Sequence, residues 1–289
     1  MREITFEINP EHVDASYLRA LRHLGVTKVS LGIQSLQDHL LERLGRRASA
    51  RQGRRVVAWS VAAGFAVVSA DLLFAVPGQS WQQLRRDVSF LLGEGVSHLS
   101  CYQLTLPHGH PLAHWLPNER KQAAFFVVLD RWLRRQGWVH YEISNYAWDG
   151  ACQSRHNLHY WRPHHYIGWG PGAHSRLDSW RFAHKEDLDH YLALDFSLDD
   201  FFSLYSPKEV ELEDWYLEYI MGASRLAEGF ALDEFPKPEQ AQARERFLQN
   251  ARQTFTILLQ KGWLRHGDRW RLSPKGMLFS DSLLWEWMK

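Results

Sequence analysis

SADLLFAVPGQ, residues 69–79, is an apolar run interrupted by one acid and stopped by Pro77-Gly78. It reads as a strand that carries a carboxylate close to its far end. Three other stretches share the form: ITFEINP (4–10), KVSLGIQS (28–35) and HLSCYQL (98–104). Each places a polar side chain near the end of its strand, giving the series Glu7, Gln34, Asp71 and Gln103. A helical segment separates each strand from the next. That rhythm predicts an α/β fold of the β/α-barrel kind, whose chemistry gathers at the C-terminal mouth. Apolar runs such as VVSADLLFAV predict a parallel sheet covered on both faces.

The predicted elements follow the same punctuation. A strand at 4–9 stops at Pro10, and a helix capped by Asp14 or Ser16 turns Leu18, Leu21 and Leu24 inward and ends at Gly25. Further strands are predicted at 26–34, within 65–76 and at 96–104. Helices are predicted at 39–44, 51–63, 81–92 (capped by Ser80) and 119–136. A strand at 139–144 precedes a segment, 145–176, so rich in His, Trp, Tyr and Gly that it reads as irregular. After about residue 207 the texture changes to helices at 209–226 and 239–260, a hairpin at 263–272 turning at Gly267-Asp268, and a helix at 275–288. That order resembles a winged helix. The expected division is 1–180 for the barrel and the His/Trp/Gly-rich segment, 181–207 for a linker and 208–289 for a helical domain.

Composition narrows the function classes. The 289 residues are 45% hydrophobic and 23% charged with a net charge of +1, which does not suit a broad nucleic-acid surface. The C-terminal segment lacks a dense basic face and carries many acids, so its winged-helix order is not read as DNA binding. No apolar run approaches the roughly 18 residues of a membrane span, and MREITFEINP lacks the layout of a signal peptide. Two distant cysteines, Cys101 and Cys152, argue against a secreted disulfide framework and for a reducing cytoplasm. The 14 Trp serve packing or the stacking of a flat aromatic ligand.

Two sets of side chains could carry chemistry. Glu7, Gln34 and Asp71 recur about once per β/α unit, and Arg46 follows the second strand. Together they offer acceptors for hydroxyl and amino groups and a guanidinium fork for a carboxylate. S-adenosylmethionine presents all of these groups; the competing account is a polar barrel interior that satisfies itself. The second set is HNLHYWRPHHYIGWGPGAHS, 156–175, with His156, His159, His164, His165 and His174 beside Tyr160, Trp161 and Trp169. It fits a zinc site, a heme site with one axial imidazole and aromatic walls, or histidines bonded to backbone in a tight loop. An acid–base pair of Asp71 and Glu7 in a hydrolase or aldolase has little support: no lysine stands at the right strand end, and neither a nucleophile elbow nor a P-loop is present.

In order along the chain stand EINP, LGIQS, the L-G-R of Leu44–Arg46, DLLFAVPGQ, YQL, YEISNYA, HNLHYW and GPGAHS. So arranged they resemble the radical S-adenosylmethionine proteins related to oxygen-independent coproporphyrinogen III oxidase. The nearest likeness is to the HemW branch, regarded as heme chaperones. The resemblance spans nearly the whole chain, including RLAEGF and RLSPKG. It implies a partial radical-SAM (β/α)6 barrel lacking its first strands, plus a C-terminal helical, winged-helix-like domain. It implies that Glu7, Gln34, Arg46 and Asp71 bind S-adenosylmethionine and that His156 is a candidate heme ligand. It implies heme as ligand and heme-acceptor proteins as partners, membrane-associated ones among the candidates. The runner-up activity is oxidation of coproporphyrinogen III propionates. The family's C-x3-C-x2-C motif, which holds a [4Fe–4S] cluster, would precede the first strand, as would its glycine-rich strand. Cys101 and Cys152 match neither, so no cluster is expected on this chain, which reads as shortened at its N-terminus. The strand at 4–9 is then expected to be an exposed edge prone to pairing. The family's Tyr-Gly before V-P-G is Phe74-Ala75 here, and its histidine near Arg46 is missing.

Overall fold

A computed structural model describes residues 2–162, 164–177, 180–194, 208–209, 212–231 and 241–280. Residues 195–207 of the expected linker, the start of the helix expected from 239 and the end of the one expected to 288 lie outside them. The chain forms two compact units, Met1–Arg155 and His156–Lys289.

The first unit is built on a six-stranded sheet: β1 (Thr5–Ile8), β2 (Lys28–Gln34), β3 (Val67–Phe74), β4 (His98–Gln103), β5 (Val139–His140) and β6 (Asn145–Ala147), in the order β1-β2-β3-β4-β6-β5. The first four run parallel. Between them come α1 (Ala15–His23), α2 (Asp38–Arg43), α3 (Ala50–Ala62) and α4 (Trp81–Glu94), with α5 (Glu119–Arg135) after β4. Local chemistry starts and stops these helices where the sequence predicts. Asp14 accepts from Tyr17 N, Ser80 and Gln83 form a reciprocal capping box, and α4 ends on Gly95 at φ 94°. Each such cap is worth about 1 kcal/mol.

The sheet is covered on both faces, but its strands alternate rather than run apolar throughout. Val29, Leu31, Val68, Ala70, Leu72, Phe74 and Leu99 are buried on one face, where Phe126 of α5 meets Phe74 with ring centroids 6.5 Å apart. The opposite face is polar. Register aligns Glu7, Ser30, Ser69 and His98 in one row and Asp71, Ser100 and Asn145 in another. A period of two is what puts Ser69 and Asp71 together on that side.

The strand expected at 139–144 is instead two short ones. The chain turns at Glu142 and returns as β6, which inserts antiparallel between β4 and β5. His140 is pinned by Asp130 of α5 at 2.8 Å and stacks on Tyr146 at 4.2 Å, fixing the turn. At the other end of the sheet, β1 pairs with β2 alone among the described residues, and Ile4 and Phe6 are exposed.

In the second unit the segment expected to be irregular contains a helix, α6 (Arg155–Trp161), which begins at the last residue of the first unit, and a small antiparallel sheet. The sheet comprises β7 (His174–Leu177), β8 (Trp180–Ala183) and β9 (Lys208–Glu209). A short α7 (Leu188–Leu192) follows β8. Then come α8 (Leu212–Arg225), α9 (Ala241–Gln260), the hairpin β10 (Leu264–His266)–β11 (Trp270–Leu272) and α10 (Pro274–Leu278). Phe255 of α9, fully buried, stacks on Trp270 at 4.5 Å and joins helix to hairpin.

Candidate functional site

Three parallel strands and the loops after them position the first set of residues. Glu7 sits one residue before the end of β1, and Ser30, its register partner on β2, donates to Asp71 Oδ1 of β3 at 3.2 Å. Asp71 is also hydrogen-bonded by Ser100. Gln34 ends β2 with φ 61°, an uncommon conformation for a side chain other than glycine. The loop that follows is clamped by Asp87 of α4, which accepts from Ser35 Oγ at 2.8 Å, Leu36 N at 2.9 Å and Gln37 Nε2 at 2.6 Å. Arg46, beyond α2, donates to Asn9 Oδ1 at 3.2 Å. That same oxygen lies 2.9 Å, and Gln34 Nε2 3.3 Å, from the point a Cβ on Gly32 would occupy. Gly32 therefore leaves room for Asn9 and Gln34 to approach each other.

The structure thus draws Gln34 and Arg46 together around Asn9, and Glu7 and Asp71 around Ser30. Gln103 is separate: its amide donates to Gln122 of α5 at 2.7 Å. Asn9 is a member that sequence reasoning missed, although the spacing E-x-N in FEIN places it on the face of Glu7.

Burial sets the charges along this face. It pushes the Asp71 carboxyl above the usual carboxylate range, opposed by hydrogen bonds from Ser100 and Ser30, with Glu7 adding repulsion. Burial also lowers Lys28, which is 3% exposed on the same face, while Glu3 and Asp71 pull it back up. His98, 1% exposed, is held well below its ordinary value by burial and then by Lys28. Its ring nitrogens contact Ser69 Oγ at 2.7 Å and Tyr141 OH at 2.8 Å, so it sits neutral within a closed chain of hydrogen bonds.

The second set lies in and after α6. His156 is exposed at the start of the helix, edge-on to Tyr160 at 4.8 Å. His159 Nε2 contacts the His165 carbonyl at 2.6 Å and its ring stacks on His164 at 4.8 Å. His174 opens β7. No group of three or more His, Cys, Asp or Glu able to hold a metal ion occurs among the described residues. Cys101 is fully buried in β4 with its thiol pushed up by burial, and Cys152 lies in a turn at 150–152. Two such thiols do not supply the three thiolates a [4Fe–4S] cluster takes.

Residues 1–91 match the model of the Radical SAM superfamily. The chain is 30% identical to the heme chaperone HemW of Mycobacterium tuberculosis over 98% of its own length and 70% of that protein. Against the heme chaperone HemW of Synechocystis it is 31% identical over 98% of its length and 73% of that protein. Coproporphyrinogen III oxidase (HemN) of Escherichia coli, described as a radical SAM enzyme, superposes with a TM-score of 0.75 at 15% identity, covering 99% of this chain and 69% of that one, which shows the shared fold. The chain belongs to the HemW family of radical SAM proteins. Among the described residues no helix is long and apolar enough to cross a membrane.

Proposed function

We propose that the chain binds heme through the α6 segment and passes it to heme-acceptor proteins. The observation that carries this reading is His156, exposed on a short helix beside Tyr160 in a chain whose relatives are named heme chaperones. An exposed imidazole flanked by aromatic rings can bind iron and shelter one face of a flat macrocycle. Titration of the chain with hemin is expected to give a shifted Soret band, and His156→Ala is expected to abolish the shift. An unchanged spectrum in that variant would remove His156 as the ligand.

S-adenosylmethionine is the second ligand of this reading, on the polar face of the first unit. With a [4Fe–4S] cluster, it supplies a 5′-deoxyadenosyl radical. The residues fit the nucleoside: Glu7 and Asp71 are acceptors for hydroxyl or ammonium groups, and Gln34 and Arg46 are donors that Asn9 already gathers. They do not fit the cluster, for want of a third thiol, and no radical step is assigned to this chain. Asp71→Asn is expected to weaken S-adenosylmethionine binding about tenfold, roughly the worth of one charge-assisted hydrogen bond, as read by equilibrium dialysis.

A further inference from the structure

The second unit contains a cavity of about 520 Å³ to which sequence reasoning gave no role. Its walls include Trp161 and Arg162 at the end of α6, Tyr219 of α8, Glu228 in the turn after α8, and Arg269 and Arg271 of the hairpin. Three guanidiniums therefore face one space in which Glu228 is the only acid among the lining residues. They are gathered by that turn. Arg162 donates to the Glu228 carboxylate at 2.7 Å, and Arg269 and Arg271 each donate to its backbone carbonyl at 3.1 Å. A guanidinium has five N–H donors. Arg162 spends one on Glu228, and Arg271 spends two groups, on Glu228 and Asp268, so both keep donors for another acceptor. The remaining wall is made by Trp161, Tyr219, Ala223, Leu226 and Gly229 together with the His164 imidazole, and Trp161 Nε1 is buried without a hydrogen-bond partner. Arg225 stacks over the Trp161 ring at 4.8 Å and adds a further positive charge behind it.

Positive forks on an aromatic wall select a ligand that is flat and ends in carboxylates. Trp161 stands five residues from His156 on the same helix, an axial rise of about 7.5 Å. We propose that this cavity receives the carboxylate side chains of a tetrapyrrole whose ring lies along α6. The proposal rests on the heme reading for the identity of the ligand, but it does not require iron. Arg162 and Arg271 supply the forks, Trp161 and Tyr219 contact the macrocycle edge, and the Glu228 carboxylate occupies Arg162 until a ligand carboxylate replaces it.

The test uses the full chain and two iron-free probes, mesoporphyrin IX and its dimethyl ester, titrated by porphyrin fluorescence. The diacid is expected to bind at least tenfold more tightly than the ester. The Arg162→Gln/Arg271→Gln double variant is expected to lose that difference. Both arginines are nearly half exposed, at 46% and 43%, so their replacement spares the core; a thermal melt checks this. Glu228→Gln removes the competing carboxylate and is expected to tighten diacid binding severalfold. Equal affinity for diacid and ester, failure of the diacid to bind, or a double variant that binds it unchanged would each overturn the proposal. Hemin binding to His156→Ala is read separately. If the Soret shift survives there while the arginine variants still weaken the diacid, the axial ligand is wrong and the cavity stands. If the shift is lost and the arginines are indifferent, the reverse holds.

Discussion

The two units handle polar groups in opposite ways. In the first, register does the work: four parallel strands line up Glu7, Ser30, Ser69 and His98, and Ser30 meets Asp71, Ser69 meets His98 and Asp71 meets Ser100 across neighbouring strands. In the second, the strands are short and the backbone itself packs tightly. A Cβ on Gly229 would lie 2.0 Å from the Trp270 carbonyl, one on Gly222 of α8 2.7 Å from the Trp161 carbonyl, and one on Gly168 2.3 Å from that of His174. The arginines of the cavity are part-exposed there, whereas Arg176 is buried with the Glu218 carboxylate 3.9 Å away. The difference teaches where each unit is vulnerable. The sheet is therefore expected to suffer most from a misplaced charge, and the second unit, outside the cluster of Arg176, Glu218 and Arg181, from a methyl group at its closest contacts.

The sharpest way to break that contrast is Gly229→Ala. Gly229 has φ 70°, and its neighbour Phe230 exchanges hydrogen bonds with Trp270 at 2.9 and 2.8 Å. A methyl group there would force the turn off the hairpin and cost about 3 kcal/mol or more. Gly267→Ala is the control, since nothing lies within 4 Å of its Cβ position; it should cost less than about 0.5 kcal/mol. Hydrogen exchange should show protection lost at α8 and β10–β11 in the first variant, with β2–β4 unaffected. Equal melting temperatures for the two variants would remove the argument.

A smaller effect sharpens the other side. His98 is buried neutral, with Lys28, Ser69 and Tyr141 around it, and its folded value lies well below the ordinary one. The unfolded chain takes up this proton near pH ~6.5 and the folded chain does not, so stability is full above that value and falls as pH drops towards the folded value. The slope approaches about 1.4 kcal/mol per pH unit for one proton. Asp71 acts with the opposite sign: its raised value favours the folded state once it is protonated, at lower pH. His184, buried and also depressed by burial, adds to the slope from the second unit. Urea midpoints at a series of pH values should therefore fall less steeply for His98→Gln than for the parent chain. Parallel lines would show that His98 does not contribute.

Much of the first unit was legible in the sequence because strand runs, glycine stops and the Ser80 cap are local signals. The two faces of β3 were not, since Ser69 and Asp71 among six apolar neighbours resemble a continuous run until partner strands reveal the alternation. The turn at Glu142 was hidden because its cause, the contact of His140 with Asp130, lies on another element. The α6 helix was missed because its aromatic and histidine side chains are weak helix formers and it spans only seven residues. Glu7, Gln34, Arg46 and Asp71 could be picked out one element at a time, but the contact that joins Asn9 to Arg46 is visible only in three dimensions. Arg162 stands about a hundred positions before Arg269 and Arg271, and only the fold makes it their neighbour.

The smallest effect concerns Ala75, which follows β3 with φ 60° and, with Gln34, is one of two non-glycine residues with positive φ among those described. Both sit where a parallel strand hands over to the loop at the polar mouth, and the left-handed conformation costs an L-residue about 1–2 kcal/mol. Ala75→Gly would relieve that strain. It would also loosen the unfolded chain by about 0.4–1 kcal/mol and remove a fully buried methyl group. With about 0.8 kcal/mol for the methyl these contributions nearly cancel, so the net expectation is a change under about 1 kcal/mol, read as a urea midpoint close to the parent's. Gln34→Gly relieves the same kind of strain but deletes a donor at the proposed nucleoside site. It should therefore hold or raise stability while lowering S-adenosylmethionine affinity. If both variants lose stability, the left-handed backbone is set by side-chain contacts rather than tolerated at a cost, and the mouth of the sheet is more tightly packed than the polar face behind it.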